Sequence, residues 1–147
     1  MNYTQTLEYI HSLGNFKLPA GLERITEALK KLGDPQGKFD AVHIAGTNGK
    51  GSVSAMLAKI FETAGFKTGL YISPYIIDFR ERIQINGNFI PEEKMTEYAE
   101  RVKNTGVAMS EFEFITAAAF SYFADEKCDI VIAETGLGGR LDATNTL

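Results

Sequence analysis

Cysteine is almost absent, with Cys128 the single one in 147 residues. One thiol closes no internal disulfide and leaves no cysteine-rich metal motif, which makes a reducing compartment the simpler setting. No cluster of lysine and arginine stands out, and the net charge is −4. A nucleic-acid partner is not expected on that balance, so any anion the chain binds has to be held by a local site. Long apolar runs are missing as well. The N-terminal stretch MNYTQTLEYI lacks a basic segment followed by an apolar one, and no run approaches the length of a membrane span. A cytoplasmic protein with no membrane partner is the expectation. No internal repeat or low-complexity tract is visible. What is present, with 44% hydrophobic residues, suits one ordinary domain, able to bury roughly 70% of the surface its unfolded chain exposes.

Periodicity places the elements. Tyr3, Leu7 and Ile10 mark a helix over residues 3–12, and Leu22, Ile25, Leu29 and Leu32 a second, stopped by Gly33 and Asp34-Pro35. Phe39 to Ala45 reads as a buried strand. Val53, Met56, Leu57, Ile60, Phe61 and Ala64 then trace one helical face, and Thr68 to Ile72 read as a second short strand, giving a βαβ unit. Ile83 and Ile85, then Asn86-Gly87, then Phe89-Ile90 signal a hairpin, because Asn-Gly tolerates the positive φ of a tight turn. Pro91 with Glu92 and Glu93 opens a helix that turns Met95, Tyr98, Ala99 and Val102 inward. Glu111 to Ala124 is apolar almost all round and reads as a buried helix, with Ser110 and Glu113 as its capping box. Asp129 to Ala133 is a further buried strand ending at Glu134.

The segment His43-Ile44-Ala45-Gly46-Thr47-Asn48-Gly49-Lys50-Gly51-Ser52 ends a strand and opens a helix with a glycine-rich, lysine-bearing turn. Glycines let several backbone N–H groups converge, Lys50 adds a point charge, and the helix start adds its unpaired N–H groups and positive dipole end. An anionic phosphate fits such a cradle; a turn that serves packing alone is the other reading. It is not a regular Walker A loop, which would need glycine at Ile44 and a hydroxyl residue at Gly51. ATP phosphates also call for a divalent cation with oxygen ligands. Ser73 follows the second strand and Glu134 ends the third, so parallel neighbours would bring both oxygens over the phosphate site. A turn hydroxyl and a solvated strand-end carboxylate are their plainer readings.

GTNGKGS resembles the variant loop of the Mur ligase superfamily, and its Lys-Gly-Ser ending is similar to the folate branch of that superfamily. HIAGTNGKGS, YISPYIIDFRERIQING, SEFEFITAAAF and ETGLGGRLDATN, with GLERI nearer the N-terminus, each resemble a segment of folylpolyglutamate and dihydrofolate synthases, in order and over nearly the whole chain. The resemblance implies a P-loop-type three-layer α/β/α fold with a mainly parallel sheet, as part of a Mur-ligase-like ATPase domain. Residues 1–38 would be N-terminal helices and 39–147 the α/β core of a longer, two-domain enzyme whose C-terminal domain is absent from this sequence.

Family roles carried over imply that ATP and magnesium serve as cofactors. Thr47, Asn48, Gly49, Lys50, Gly51 and Ser52 would hold ATP phosphates, with Lys50 catalytic, neutralising charge on the transferring phosphoryl group. Ser73 and Glu134 would bind magnesium. The substrates implied are a folate or dihydropteroate and L-glutamate, joined through an acyl phosphate by a full-length monomer. The pterin-bearing substrate would be held by Lys17, Leu18, Pro19 and Ala20, by Ser110, Glu111, Phe112 and Glu113, and by Leu141. Phe112 offers a face to a flat heterocycle and Glu113 an acceptor for ring N–H groups, while core packing and helix capping explain the same two residues equally well. Arg80 and Arg82 flank Glu81 in the loop after Ser73; Arg82 is the candidate for a substrate carboxylate, though nothing in one sequence separates the two. Arg140 and Asp142 read as an ion pair that orders their turn, and His43 and His11 as hydrogen-bonded or surface residues with no catalytic part. The competing readings are a nucleotide- or pterin-binding fragment without turnover and a different P-loop enzyme.

Overall fold

A computed structural model describes residues 1–14, 18–136 and 139–147. Its helices are α1 (Tyr3–Leu13), α2 (Glu23–Lys31), α3 (Lys50–Thr63), α4 (Glu92–Lys103) and α5 (Glu111–Asp125), and its strands are β1 (Asp40–Ile44), β2 (Thr68–Tyr71), β3 (Ile83–Ile85), β4 (Asn88–Phe89) and β5 (Ile130–Glu134). The strands form one mixed sheet in the order β1-β5-β2-β3-β4, with β5 parallel to both β1 and β2 and the β3–β4 hairpin added antiparallel. Asn86 and Gly87 take φ of 47° and 76° at the hairpin turn, the backbone that Asn-Gly reaches at little steric cost. Among the described residues no helix is long and apolar enough to cross a membrane.

Side-chain alternation along β2 sorts the layers. Gly69 faces the Phe123 ring of α5, and the Tyr71 hydroxyl is 2.8 Å from Thr116 of α5. Leu70 points the other way, lining a cavity with Ala55 and Ala58 of α3. The sheet therefore lies between α3 on one face and α5 on the other, with α1, α2 and α4 packed on α5. Helix α5 is buried without a break from Glu113 to Ala124, which is why its sequence shows no polar stripe. Ser110 accepts from the Glu113 N–H while the Glu113 carboxylate accepts from the Ser110 N–H. This is the reciprocal capping box that the sequence predicts.

Two expectations fail. Strand β1 is not buried: it lies at the end of the sheet, and Asp40, Ala41 and His43 are exposed. An apolar run followed by a glycine loop reads as a buried strand, yet burial of a strand depends on long-range pairing and packing that local sequence does not carry. Likewise, only part of the expected apolar face of α3 meets the sheet: Leu57 and Phe61 are half-buried, whereas Val53, Met56 and Ile60 are 42%, 59% and 62% exposed. Ser54 is fully buried and donates to the Lys50 carbonyl at 2.7 Å.

Gly69 is the tightest point in the middle of the sheet. A Cβ there would lie 2.8 Å from the Phe123 ring and 3.0 Å from the Val131 side chain. Gly69→Ala is expected to cost about 1–3 kcal/mol of stability in urea unfolding; a loss below about 0.5 kcal/mol, the range of an unremarkable surface change, would mean that this contact is not tight in solution.

Candidate functional site

The register of the three parallel strands brings their carboxyl ends level. Ile44 pairs with Glu134, and Tyr71 with Ala133, so the loop after β1, the segment after β2 and the last residue of β5 open on one crevice. In that loop Gly46 and Gly49 have φ of 150° and 77°, values that favour glycine. Gly49 is the N-cap of α3 and no side chain caps the helix. The N–H groups of Lys50, Gly51 and Ser52 thus lack helical partners and face the loop along with the positive end of the dipole. Thr47 and Asn48 are exposed beside them. Lys50 is half-buried and makes no ion pair among the described residues.

Glu134 shares the face of β5 that carries Ile132, the α3 side. It is only 5% exposed, yet among the described residues its Oε2 accepts a single N–H, that of Ser73 at 3.2 Å. The same oxygen lies 3.9 Å from where a Cβ on Gly51 would stand. The lysine loop, the carboxylate and the serine are therefore gathered in one place, as the sequence reading required. The described residues hold no group of three or more His, Cys, Asp or Glu suited to a metal. A site with one carboxylate and one hydroxyl does not suit a calcium-like ion that needs an all-protein cage, but it does suit magnesium, which keeps several waters and takes its remaining ligands from phosphates.

A second cavity, of about 280 Å³, is lined by Leu18, Pro19, Ala20, Gly21, Arg24, Ser110, Phe112, Glu113, Leu141, Asp142 and Ala143. Seven of the residues expected around a substrate meet there: Leu18, Pro19, Ala20, Ser110, Phe112, Glu113 and Leu141. Glu111 does not; it turns away to pair with His11 at 3.3 Å. Arg82 also lies off the cavity wall, and Lys17 falls outside the described residues. Phe112 is stacked on Tyr71, with centroids 6.0 Å apart and planes at 29°. It is also pressed against Gly136, where a Cβ would come within 2.5 Å of the ring. Gly136 stands two residues beyond Glu134, so the backbone leaving β5 forms both the acidic end of the crevice and a wall for the aromatic ring.

Asp142 accepts from the Gly136 N–H at 2.9 Å and the Thr144 N–H at 3.1 Å, and the Thr144 hydroxyl bonds both Asp142 and His43. These bonds tie Asp142 into its turn, and His43 is the hydrogen-bonded residue expected, 2.7 Å from Thr144. Sequence could not separate Arg80 from Arg82, but the structure does. Arg80 is tied to Asp78 at 2.7 Å, and that hydrogen bond lowers the Asp78 pKa. Among the described residues Arg82 has no carboxylate partner; its guanidinium lies 5.3 and 5.4 Å from the Tyr75 and Phe79 ring centres, with a buried Nε that no acceptor among them meets. Glu81 braces the same loop by accepting from the N–H groups of Asp78, Ile77 and Ile76 at 2.7, 2.8 and 2.9 Å, and these bonds, that of Asp78 foremost, lower its pKa.

Sequence reasoning missed Arg24, which lines the cavity and pairs with Glu113 at 3.1 Å. The two residues are 89 apart in the chain, and no local spacing joins them. A wider cavity of about 620 Å³ lies at the amino ends of β1 and β5, between Lys38, Asp40, Lys127 and Asp129, opposite the end where open α/β sheets bind ligands.

A class of protein follows from these features, namely an α/β domain with a glycine-rich, lysine-bearing loop at the carboxyl ends of its parallel strands and a separate cavity. The relatives narrow it. No protein-family model matches the chain. It is 42% identical over 154 residues to the dihydrofolate synthase/folylpolyglutamate synthase of Bacillus subtilis, covering 99% of this chain and 36% of that one. The structure of Escherichia coli FolC in complex with DHPP and ADP superposes with a TM-score of 0.94 at 34% identity, covering 100% of this chain and 36% of that chain. A folylpolyglutamate synthase in complex with AMPPCP and folate gives 0.94 at 38% identity, covering 99% and 38%. The chain is homologous throughout to the N-terminal part of folylpolyglutamate and dihydrofolate synthases, and spans about a third of the length of these relatives.

Cys128 takes no part in the site. It is 3% exposed, and burial pushes its thiol up to about 11, because the charged thiolate is the form that burial disfavours. Iodoacetamide should alkylate it no faster than a buried thiol between pH 7 and 9, with the rate rising only as pH nears 11; ready alkylation of the folded chain at pH 8 would contradict this.

Proposed function

We propose that this chain supplies the ATP-phosphate site, the magnesium ligands and part of the folate site of an ATP-dependent ligase that joins L-glutamate to a folate or to dihydropteroate. One observation carries the reading above others: a carboxylate only 5% exposed, Glu134, held by the Ser73 N–H and set against Gly51 at the start of α3. A buried carboxylate with a single donor among the described residues is costly unless a cation shares the space, and the unpaired N–H groups beside it suit phosphates that such a cation would bridge to it. The known complexes of the relatives, with AMPPCP and folate in one and with ADP and DHPP in another, support both halves of the reading.

Within it, the N–H groups of Lys50, Gly51 and Ser52 and the Lys50 ammonium hold the phosphates, with Thr47, Asn48 and Gly49 shaping the loop. Ser73 and Glu134 would hold magnesium, which when bound offsets phosphate charge. The substrate carboxylate attacks the terminal phosphoryl group of ATP and ADP leaves. The glutamate amine then displaces phosphate from the acyl phosphate to form the amide. Lys50 stands where negative charge is greatest during the first transfer. The 280 Å³ cavity takes the pterin, with Phe112 beside its ring and Glu113 accepting from it; Arg82, which pairs with no carboxylate among the described residues, meets an anionic group of the substrate. A reducing, cytoplasmic setting is in keeping with a lone buried thiol.

The test is calorimetry on the chain with MgATP and, separately, with pteroate. Lys50→Ala is expected to weaken MgATP at least about tenfold, the scale of one charge-assisted contact, and to leave pteroate unchanged; in a full-length enzyme carrying this chain it should abolish ATP-dependent ligation. Wild-type affinity for MgATP in the variant would sink the phosphate assignment. Gly136→Ala should do the reverse, since its Cβ must displace the Phe112 ring: weaker pteroate, unchanged MgATP. Equal loss of both ligands would show that the two sites are not separate.

A further inference from the structure

His43 pairs with Ala133 across β1 and β5, so its side chain shares the α5 face of the sheet, opposite the face that carries Glu134. Its Nε2 is 2.7 Å from the hydroxyl of Thr144, a residue with no exposed surface. That hydroxyl donates to Asp142 Oδ2, and the same carboxylate accepts the Gly136 N–H at 2.9 Å and the Thr144 N–H at 3.1 Å. Leu141, Asp142 and Ala143 all line the 280 Å³ cavity. Proton counting gives this chain of bonds a direction. A hydroxyl has one proton, and a carboxylate has none to give. With the Thr144 proton directed to Asp142, the Thr144 oxygen is left as an acceptor toward His43, and the imidazole must carry its proton on Nε2. The relay thus runs from the His43 N–H through the Thr144 O–H to the Asp142 carboxylate, from the exposed edge of the sheet to the cavity wall.

We propose that His43 is a positioning residue for the ligand cavity: as the Nε2–H donor at the head of this relay, it holds in place the turn that carries Leu141, Asp142 and Ala143. This rests on reading the cavity as the pterin site. Two strands pin the turn. Gly136, just beyond β5, fixes Asp142, and His43, on β1, fixes Thr144. A tie at one point leaves a turn free to swing about it, and a second tie from a neighbouring strand removes that rotation. The choice of ring nitrogen matters to the wall as well. With the proton on Nδ1, Nε2 would be an acceptor and would compete with Asp142 for the one Thr144 proton. With the proton on Nε2, donation to the Thr144 oxygen polarises its O–H and strengthens the bond that it makes to Asp142. His43 touches neither ligand in this account; it acts through Thr144 and Asp142.

Two measurements on the 147-residue chain test this. Long-range ¹H–¹⁵N NMR correlations report which ring nitrogen is protonated, and the chain has only two histidines, so a His11→Gln background leaves the signals of His43 alone. At about pH 8, where an ordinary imidazole is neutral, the His43 ring should show the Nε2–H form; the Nδ1–H form overturns the proposal. Calorimetry with pteroate and with MgATP reads the consequence. His43→Gln, whose side-chain amide brings an N–H donor near the place of Nε2, should keep pteroate affinity within about twofold. His43→Met, of similar length but with no donor, should weaken pteroate about tenfold, the scale of one lost hydrogen bond, and leave MgATP unchanged. A role confined to filling space would make the two variants alike, so equal pteroate affinities in them overturn the proposal. Should circular dichroism show His43→Met unfolded, Thr144→Val, which keeps the shape and deletes the hydroxyl, takes its place with the same expectation, and wild-type pteroate affinity there overturns the proposal equally. If the wild-type chain binds no pteroate, the pterin reading fails and this proposal with it. If the wild type and His43→Met bind pteroate alike, the reading of the cavity stands and the positioning role of His43 is lost.

Discussion

Strand β5 is hydrogen-bonded along both edges, to β1 over Asp40–Ile44 and to β2 over Thr68–Tyr71. Its register matters more to this molecule than any single side chain. Side chains alternate across a strand, so a slip of one residue would carry Glu134 from the α3 face to the α5 face and leave the glycine loop without its carboxylate. The register is held by burial: Val131 and Ala133 are fully enclosed on the α5 side, and Ile132 on the other. Gly69 opposite Val131 leaves room for Phe123 to seat on that pair. Packing far from the crevice thus sets the position of a charged group inside it.

The same strand joins the two sites. Beyond Glu134 the backbone passes Thr135, whose N–H donates to the Ile44 carbonyl at 2.9 Å, and reaches Gly136, which supports the Phe112 ring and donates to Asp142. Asp142 in turn anchors the segment bearing Leu141 and, through Thr144, reaches His43 on β1. The crevice and the aromatic-walled cavity are therefore built on consecutive residues of one chain segment, which is the juxtaposition that the proposed reaction requires.

Local chemistry made much of this legible in the sequence. Asn86-Gly87 announces its turn, Ser110 and Glu113 their capping box, and Gly46 to Ser52 the glycine loop that opens α3, because each rests on residues close in the chain. The convergence of Ser73 and Glu134 was readable only through the assumption of parallel strands, which the mixed sheet satisfies with β5 inserted between β1 and β2. What escaped is long-range. Nothing near Phe39 says that β1 will lie at the sheet's end, and the apolar face of α3 gave no hint that Ser54 would be buried while Met56 and Ile60 stay exposed. Arg24 looked like an ordinary charged residue on an amphipathic helix, since its partner lies on α5. Arg80 and Arg82 were separated only once Asp78 was seen to take the first.

The central claim is that the glycine loop, Ser73 and Glu134 form one site for magnesium and the phosphates of ATP. The most direct measurement is a crystal structure of the chain with AMPPCP and Mn²⁺, a divalent ion with a taste for oxygen ligands and a strong anomalous signal. The account predicts a single anomalous peak beside the Glu134 carboxylate and the Ser73 hydroxyl, with the phosphates along the N–H groups of residues 50–52. A metal bound elsewhere, or phosphates that leave that loop empty, would contradict it.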